Sequence, residues 1–209
     1  GTETINVQAT ASGTATEVNG GANNDVINVG SAGNSLDTIQ GALCIDGGGH
    51  DGGTATVCGV VVTVGDTLNL NDQGDGDANT YGLSSTGLTR SGAAAINWTN
   101  VETVVLNAGT GNDTITANLL AAQPNHVRVN GNAGTDTINV QATAAGTATE
   151  VNGGANNDVI NVGSAGNSLD TIQGALCIDG GDHDGGTTTV CGVVVTVGDT
   201  VNLNDQGDA

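Results

Sequence analysis

The chain of 209 residues carries 22 Asp and Glu against only 2 Lys and Arg, so its formal net charge is −20, and it contains 36 Gly but no Phe or Met. Nucleic acids and anionic membrane surfaces are excluded as partners because no basic patch exists to neutralise phosphates. The near absence of large apolar side chains, which normally supply most buried area, and of any run of about 18 apolar residues excludes an ordinary globular core and a membrane span.

Residues 1–75 recur at 134–208 and differ at only five positions. The offset of 133 residues defines a long repeat. We therefore divide the chain into one full unit, 1–133, and a partial second unit, 134–209, that continues the first. Because the second copy stops within a unit, we interpret the chain as a segment of a longer array.

Short stretches that alternate apolar and polar residues follow one another along the chain, and such alternation predicts β-strands. They begin at 3 (ETINV), 25 (DVINV), 66 (DTLNL), 113 (DTIT), 136 (DTINV), 158 (DVINV) and 199 (DTVNL). Several of these starts lie 22 or 23 residues apart. Further strands are predicted between them at 15–19, 42–46 and 126–130, and Gly and Asn between the strands supply turns.

A strand every ten or so residues with a period near 22 predicts an all-β parallel β-helix, or β-solenoid, with coils of about 22 residues. In this fold Ile5 stacks on Ile27, and Ile115, Ile138 and Ile160 form a second stack. Such stacks make a core from small apolar residues. Two alternatives are a disordered acidic chain, which has no need of a fixed period, and an array of immunoglobulin-like sandwiches, which lacks its usual core aromatic residues here.

Several turns resemble the nine-residue pattern G-G-x-G-x-D-x-U-x of calcium-binding repeats-in-toxin (RTX) proteins. Residues 108–116 read AGTGNDTIT, 131–139 read GNAGTDTIN, and 20–28 and 153–161 both read GGANNDVIN. The wider text is similar to long repetitive surface and adhesin-like proteins of bacteria. RTX repeats run in tandem, whereas these matches occur once per coil, which favours a plain β-helix with RTX-like turns.

This resemblance implies calcium as a candidate cofactor, and the candidate ligands are Asp25, Asp113, Asp136, Asp158, Asn24, Asn112 and Gly111. Stacking would place the Asp side chains in a column about 5 Å apart, and a hard cation with oxygen ligands would relieve their repulsion. The alternative is that each Asp accepts backbone N–H bonds within its turn and needs no metal.

Four cysteines fall in two equally spaced pairs, Cys44 with Cys58 and Cys177 with Cys191. The absence of C-x-x-C spacing favours disulfides in an oxidising compartment over zinc. We expect each pair to close its own glycine-rich loop, which would contribute about 3 kcal/mol. A metal site formed by His50 and nearby carboxylates is the alternative.

These features predict a structural, non-enzymatic protein that is secreted or exposed on a bacterial cell surface and self-associates into a filament, stalk or fibre. Catalytic sites are singular, whereas almost every polar feature here is repeated. A first alternative is the calcium-binding spacer of an RTX-like adhesin, with divalent cations as partners. A remote alternative is a β-helix enzyme that acts on polysaccharides.

Overall fold

The computed structural model describes residues 1–191 and 193–207, and these are folded mainly into β-strands. A single turn of 3-10 helix spans Leu36–Thr38, and no helix in the described ranges is long and apolar enough to cross a membrane. The strands are β1 Thr4–Val7, β2 Ala15–Ala22, β3 Val26–Val29, β4 Ala42–Gly49, β5 Thr54–Val57, β6 Val60–Thr63, β7 Thr67–Asn71, β8 Thr80–Ser84, β9 Gly87–Arg90, β10 Ile96–Thr99, β11 Thr103–Asn107, β12 Thr114–Leu119, β13 His126–Asn130, β14 Thr137–Thr143, β15 Ala148–Ala155, β16 Val159–Val162, β17 Ala175–Asp182, β18 Gly186–Val190, β19 Val193–Val197 and β20 Thr200–Leu203.

Two large sheets contain most of these strands. The first has seven strands, all parallel, in the order β1-β3-β7-β11-β13-β15-β17. The second has nine strands in the order β2-β4-β10-β9-β8-β12-β14-β16-β20, and only β9 runs antiparallel to its neighbours. Two hairpins, β5–β6 and β18–β19, form separate two-stranded sheets. The prediction of an all-β chain with long parallel sheets is confirmed.

The predicted stacking of isoleucines is also confirmed by the strand register. Ile5 lies opposite Ile27, while Ile138 lies between Ile115 and Ile160. The last four side chains are fully buried. Since many inward positions meet a similar residue on the next strand, a continuous core forms mainly from Val, Ile and Leu without large aromatic clusters.

Residues 80–99 depart from the simple alternation between sheets. Strand β8 pairs with β12, the chain then reverses through β9, and β10 pairs with β4. This excursion carries the two large aromatic residues, Tyr81 and Trp98, into the core. Trp98 donates its indole N–H to the carbonyl oxygen of Ser85 at 3.1 Å, so the polar group of the buried ring is satisfied.

Equivalent strands of the two repeat copies lie in opposite sheets. Strands β1 and β3 lie in the seven-stranded sheet, whereas the equivalent strands of the second copy, β14 and β16, lie in the nine-stranded sheet. The exchange is reciprocal, since β2 and β4 lie in the nine-stranded sheet and β15 and β17 in the seven-stranded one. A 133-residue unit must therefore contain an odd number of crossings from one sheet to the other.

The predicted period of about 22 residues holds only where no insertion is present. The hydrogen bond from the N–H of Glu3 to the Asp25 side chain spans 22 residues. The next such bond, from the N–H of Asp25 to the Asp66 side chain, spans 41. The additional residues form the β5–β6 hairpin. The same separation of 41 recurs between Asp158 and Asp199, where the β18–β19 hairpin is inserted.

Asparagine side chains join neighbouring strands through side-chain amide hydrogen bonds. Asn28 donates to Asn6 at 2.9 Å and Asn69 donates to Asn28 at 2.9 Å. Equivalent contacts join Asn71, Asn107 and Asn130, and also Asn139, Asn161 and Asn202. Because each amide both donates and accepts, these ladders extend the hydrogen bonding between strands beyond the backbone.

Certain glycines allow neighbouring strands to approach closely. A Cβ at Gly20 would collide with the carbonyl oxygen of Gly47 and lie 2.8 Å from Oδ2 of Asp25. Gly153 occupies the equivalent place in the second copy, beside Asp158. A side chain at these positions would have to displace both backbone and a buried carboxylate.

We predict that Gly20→Ala lowers the free energy of unfolding by about 3 kcal/mol, at the upper end of the usual cost of overpacking. Gly49→Ala is the matched control, because a Cβ there meets no atom within 4 Å. Urea denaturation followed by circular dichroism measures both. Equal stability of the two variants would contradict the proposed close approach.

Candidate functional site

Acidic side chains at the entrances to the strands form two columns. The first acidic column, beside the seven-stranded sheet, consists of Glu3, Asp25, Asp66 and Glu102. The second acidic column, beside the nine-stranded sheet, runs from Asn79 through Asp113, Asp136, Asp158 and Asp199. In each column the backbone N–H of one member donates to a side-chain oxygen of the next.

These hydrogen bonds are short and regular. The N–H of Asp25 donates to Oδ1 of Asp66 at 2.7 Å. In the second column the N–H of Asp113 donates to Asp136 at 2.7 Å, and that of Asp136 donates to Asp158 at 2.8 Å. Each carboxylate thus satisfies a backbone donor that precedes the neighbouring strand, whereas the metal-free alternative had expected a donor from the same turn.

In four Asp residues of the columns, the second carboxylate oxygen differs from the first in its hydrogen bonding. Oδ2 of Asp25, Asp66, Asp136 and Asp158 is buried and has no hydrogen-bond partner. A buried acceptor without a partner destabilises the fold unless the group becomes neutral or gains a ligand. Glycines line the space in front of it, since a Cβ at Gly131 would lie 2.6 Å from Oδ2 of Asp136.

Burial, reinforced by the neighbouring charges of Asp158 and Asp113, raises the pKa of Asp136 to about 7. Burial also raises the pKa values of Asp66, Asp113 and Asp158 above their usual range. These four Asp side chains therefore hold protons more readily than exposed carboxylates do. Proton sharing along a column would relieve the repulsion between its members.

The predicted calcium ligands lie along these columns but do not converge on one point. Asp25 belongs to the first column, and Asp113, Asp136 and Asp158 belong to the second. Within residues 1–191 and 193–207, no group of three or more His, Cys, Asp or Glu side chains is arranged to hold a metal ion. Calcium stays a prediction.

The other predicted ligands make backbone contacts of their own. Oδ1 of Asn24 accepts the N–H of Asp51 at 2.9 Å, and Oδ1 of Asn112 accepts the N–H of Thr135 at 2.9 Å. Gly111 lies against the backbone of Asp77. The side-chain oxygens of Asn24 and Asn112 therefore have a structural role, because each accepts a backbone N–H from a neighbouring turn.

Arg90 organises a charge cluster that the sequence did not reveal. Its guanidinium is almost fully buried and forms ion pairs with Asp72, Asp75 and Asp37. The Tyr81 hydroxyl donates to Oδ2 of Asp72 at 2.6 Å. The cluster joins the β8–β10 excursion to residues 37–75 of the same repeat unit, so that one buried cation compensates several carboxylates.

The pKa of Asp75 in this cluster is shifted in the opposite direction to that of Asp136 in the second acidic column. Although burial opposes ionisation of Asp75, the N–H of Asp77, the Asn79 amide and Arg90 together lower its pKa. In the sequence, the only indication of this cluster was the presence of Arg90 in a chain with few cations. Its partners Asp75 and Asp72 lie 15 and 18 residues away along the chain. Sequence spacing alone could not identify them.

The cysteine pairing expected from the sequence is wrong. Cys58, at the tip of the β5–β6 hairpin, forms a disulfide with Cys177 in β17, at a sequence separation of 119. Cys44 and Cys191 are free and exposed among the described residues. The hairpin directs Cys58 away from β4 and toward β15, where its sulfur lies 3.7 Å from the carbonyl oxygen of Thr149.

The histidines of the cysteine-flanked loops do not form the alternative metal site. His50 Nε2 lies 3.4 Å from the buried carboxylate of Glu102, and its Nδ1 accepts the N–H of Gly52 at 3.1 Å. Nδ1 of His183 accepts the N–H of Gly185 in the same way. Both residues shape the start of a hairpin.

Comparison with known protein families, with curated proteins and with solved structures finds no match for this chain. Functional inference therefore depends on the acidic columns, the repeated strands and the cysteines.

We predict that the protein is more stable at pH 5 than at pH 8. The pKa of Asp136 is raised in the folded state to about 7 from about 3.9 in the unfolded chain. The folded state then binds more protons between these values, so that stability falls as the pH rises through them. Asp136 alone should account for about 2 kcal/mol, measured by urea denaturation at both pH values.

Asp136→Asn should reduce this pH dependence, because the amide keeps the acceptor for Asp113 and carries no charge. Asp170→Asn, at an exposed position, removes the same charge and serves as the control. A full pH dependence in Asp136→Asn would contradict the assignment of the effect to the column.

Proposed function

We propose that the chain is a segment of a structural extracellular β-solenoid, and that its two parallel sheets are opposite walls of the coils. The continuity between the repeat copies carries this proposal. Strand β12 pairs with β14 and β13 pairs with β15, so both sheets cross residue 134 without interruption. A unit that joins its successor through the same pairing that holds it together internally is suited to building length.

The dimensions follow from strand spacing. Adjacent strands lie about 4.8 Å apart, and the seven-stranded sheet contains six such spacings, which gives about 29 Å along the sheet. Each added repeat would increase the length and leave the cross-section unchanged. Constant width with variable length is the property required of a filament, stalk or surface fibre.

The outer strands favour self-association. Strands β17 and β20 each pair with one neighbour, β15 and β16 respectively, and therefore present unpaired backbone groups along their other edge. The Asn ladder through Asn202 ends at the same edge. A parallel strand with the same alternation could extend both the backbone ladder and the amide ladder.

A secreted location agrees with the disulfide, because such bonds persist in oxidising compartments. An enzymatic role is not favoured, since catalysis requires a singular arrangement of acid, base or nucleophile and the acidic columns recur along the sheets. A calcium-binding spacer of an adhesin is the second candidate. The buried Oδ2 atoms without partners are the observation that supports it.

We predict that the chain associates end to end at high concentration and that Val201→Pro weakens this association at least tenfold. Thr200 donates its N–H to the carbonyl oxygen of Asp158, just before β16, and Asn204 donates to that of Val162 in β16, so the N–H of Val201 faces the open edge of β20. Proline removes that donor and leaves the pairing with β16 in place.

Val201→Ala, which keeps the N–H, is the matched control. Sedimentation velocity measures association, and electron microscopy checks that the assemblies are rods of constant width. Association of Val201→Pro at the wild-type level, or compact assemblies in place of rods, would argue against the filament.

For a filament whose columns only hold the strands in register, we expect equal melting temperatures in EDTA and in millimolar calcium, because the Oδ1 atoms already accept backbone N–H groups. Thermal unfolding by circular dichroism tests this. A rise of about 10 °C with calcium that is lost in Asp136→Asn would instead support the adhesin spacer.

A further inference from the structure

The observed disulfide joins two different copies of the repeat. Cys58 belongs to the first copy and Cys177 to the second. At the repeat offset of 133 residues, Cys191 is the counterpart of Cys58 and Cys44 is the counterpart of Cys177. The free thiols of Cys44 and Cys191 are therefore one strand cysteine and one hairpin cysteine, each without the partner that its counterpart has.

The second hairpin has the same local structure as the first. Cys58 and Cys191 both adopt φ of 51° at the tips. At the hairpin bases, the N–H of Asp51 donates to Oδ1 of Asn24, and the N–H of Asp184 donates to the corresponding Asn157. The β18–β19 hairpin thus already holds the form in which β5–β6 makes its disulfide.

The two hairpins differ in burial. Val60 and Val64 of the first hairpin are half-buried, whereas their counterparts Val193 and Val197 are 61% and 38% exposed. A nearly identical sequence, with Thr188 in place of Ala55, that is more covered in one copy than in the other indicates a missing surface. The first hairpin contacts the following repeat through Cys58, which is bonded to Cys177 and lies 3.7 Å from the carbonyl oxygen of Thr149.

Cys44 lies in a cleft that repeats the surroundings of Cys177. The cleft around Cys177 is lined partly by Glu150, Val151, Asn152, Ile178 and Asp179. The cleft around Cys44 is lined partly by the residues at the corresponding positions, Glu17, Val18, Asn19, Ile45 and Asp46, and on its other side by residues 97–99 of β10. The receiving surface is therefore present at both strand cysteines, and the structure shows one of them bonded to a hairpin.

We propose that each repeat is covalently stapled to the next by a hairpin-to-strand disulfide. Cys191 bonds to the cysteine 119 residues further along a continuing array, and Cys44 receives the hairpin cysteine of the preceding repeat. This inference rests on the proposed array. Each bond forms when two thiols transfer two protons and two electrons to a small-molecule disulfide, such as oxidised glutathione, which leaves as two thiols.

Successive staples would lie on opposite walls. Cys177 belongs to the seven-stranded sheet, while Cys44 belongs to the nine-stranded sheet. Since the repeat copies exchange sheets, the hairpin carrying Cys191 would reach a strand that continues the nine-stranded sheet. The covalent links would therefore alternate between the two walls along the array.

The test uses the whole chain and a chain extended by one further copy of residues 77–209, both folded in a glutathione redox buffer. Free thiols are alkylated and the disulfides are mapped from Asp-N peptides by mass spectrometry. In the original chain we expect Cys58–Cys177 and alkylation of Cys44 and Cys191. In the extended chain, alkylation of Cys191 should fall at least tenfold, with a bond to the added cysteine that repeats Cys177.

Cys191→Ser in the extended chain is the matched control, and it should free that added cysteine while Cys58–Cys177 persists. Pairing of Cys191 with Cys177 or Cys44, or full alkylation of Cys191, would overturn the staple. X-ray scattering on the same samples tests the proposed function separately. An extended chain that lengthens without the new disulfide refutes only the staple, whereas one that does not lengthen refutes the array and the staple together.

Discussion

The backbone N–H that precedes seven of the strands in the two large sheets donates to a carboxylate that precedes the next strand of the same sheet. In the second acidic column, Asp113, Asp136 and Asp158 are linked in this way over separations of 23 and 22 residues. The contact sets the register, because the apolar residues that follow each Asp are then aligned automatically, as Ile138 is with Ile160. A chain with few large side chains needs such a device, since side-chain shape alone would specify the register only weakly.

The same device creates an electrostatic conflict. Like charges about 5 Å apart repel by about 1 kcal/mol in water and more at a partly screened site, and these carboxylates are buried. Two solutions operate in different parts of the chain. In the columns, burial raises the pKa of Asp136 and thereby reduces its charge, whereas around Asp72 and Asp75 the guanidinium of Arg90 compensates the charge. The two solutions respond to pH in opposite directions.

Local periodicity was sufficient to predict many strands of the two large sheets, the stacking of Ile115 on Ile138 and the Asp columns, because each depends only on contacts between neighbouring strands. The two hairpins and the strands between Thr80 and Asn107 were not predicted. The disulfide was not predictable in this way. Whether Cys58 faces Cys44 or Cys177 depends on the direction of a hairpin and on the number of crossings between sheets across 119 residues. The Arg90 cluster was missed for a similar reason, since the β8–β10 excursion that places it breaks the alternation used for the prediction.

The odd number of crossings per unit gives the repeat a property that neither sheet has alone. Because β4 and its counterpart β17 lie in opposite sheets, a feature fixed at one place in the sequence appears on alternate walls of the proposed array. An even number would place every hairpin on one wall, and asymmetric contacts would then accumulate along one side. With alternation, a hairpin on one wall is followed by a hairpin on the other, so that lateral forces from the insertions cancel over two repeats. A straight fibre can therefore carry bulky, cysteine-tipped hairpins in every unit.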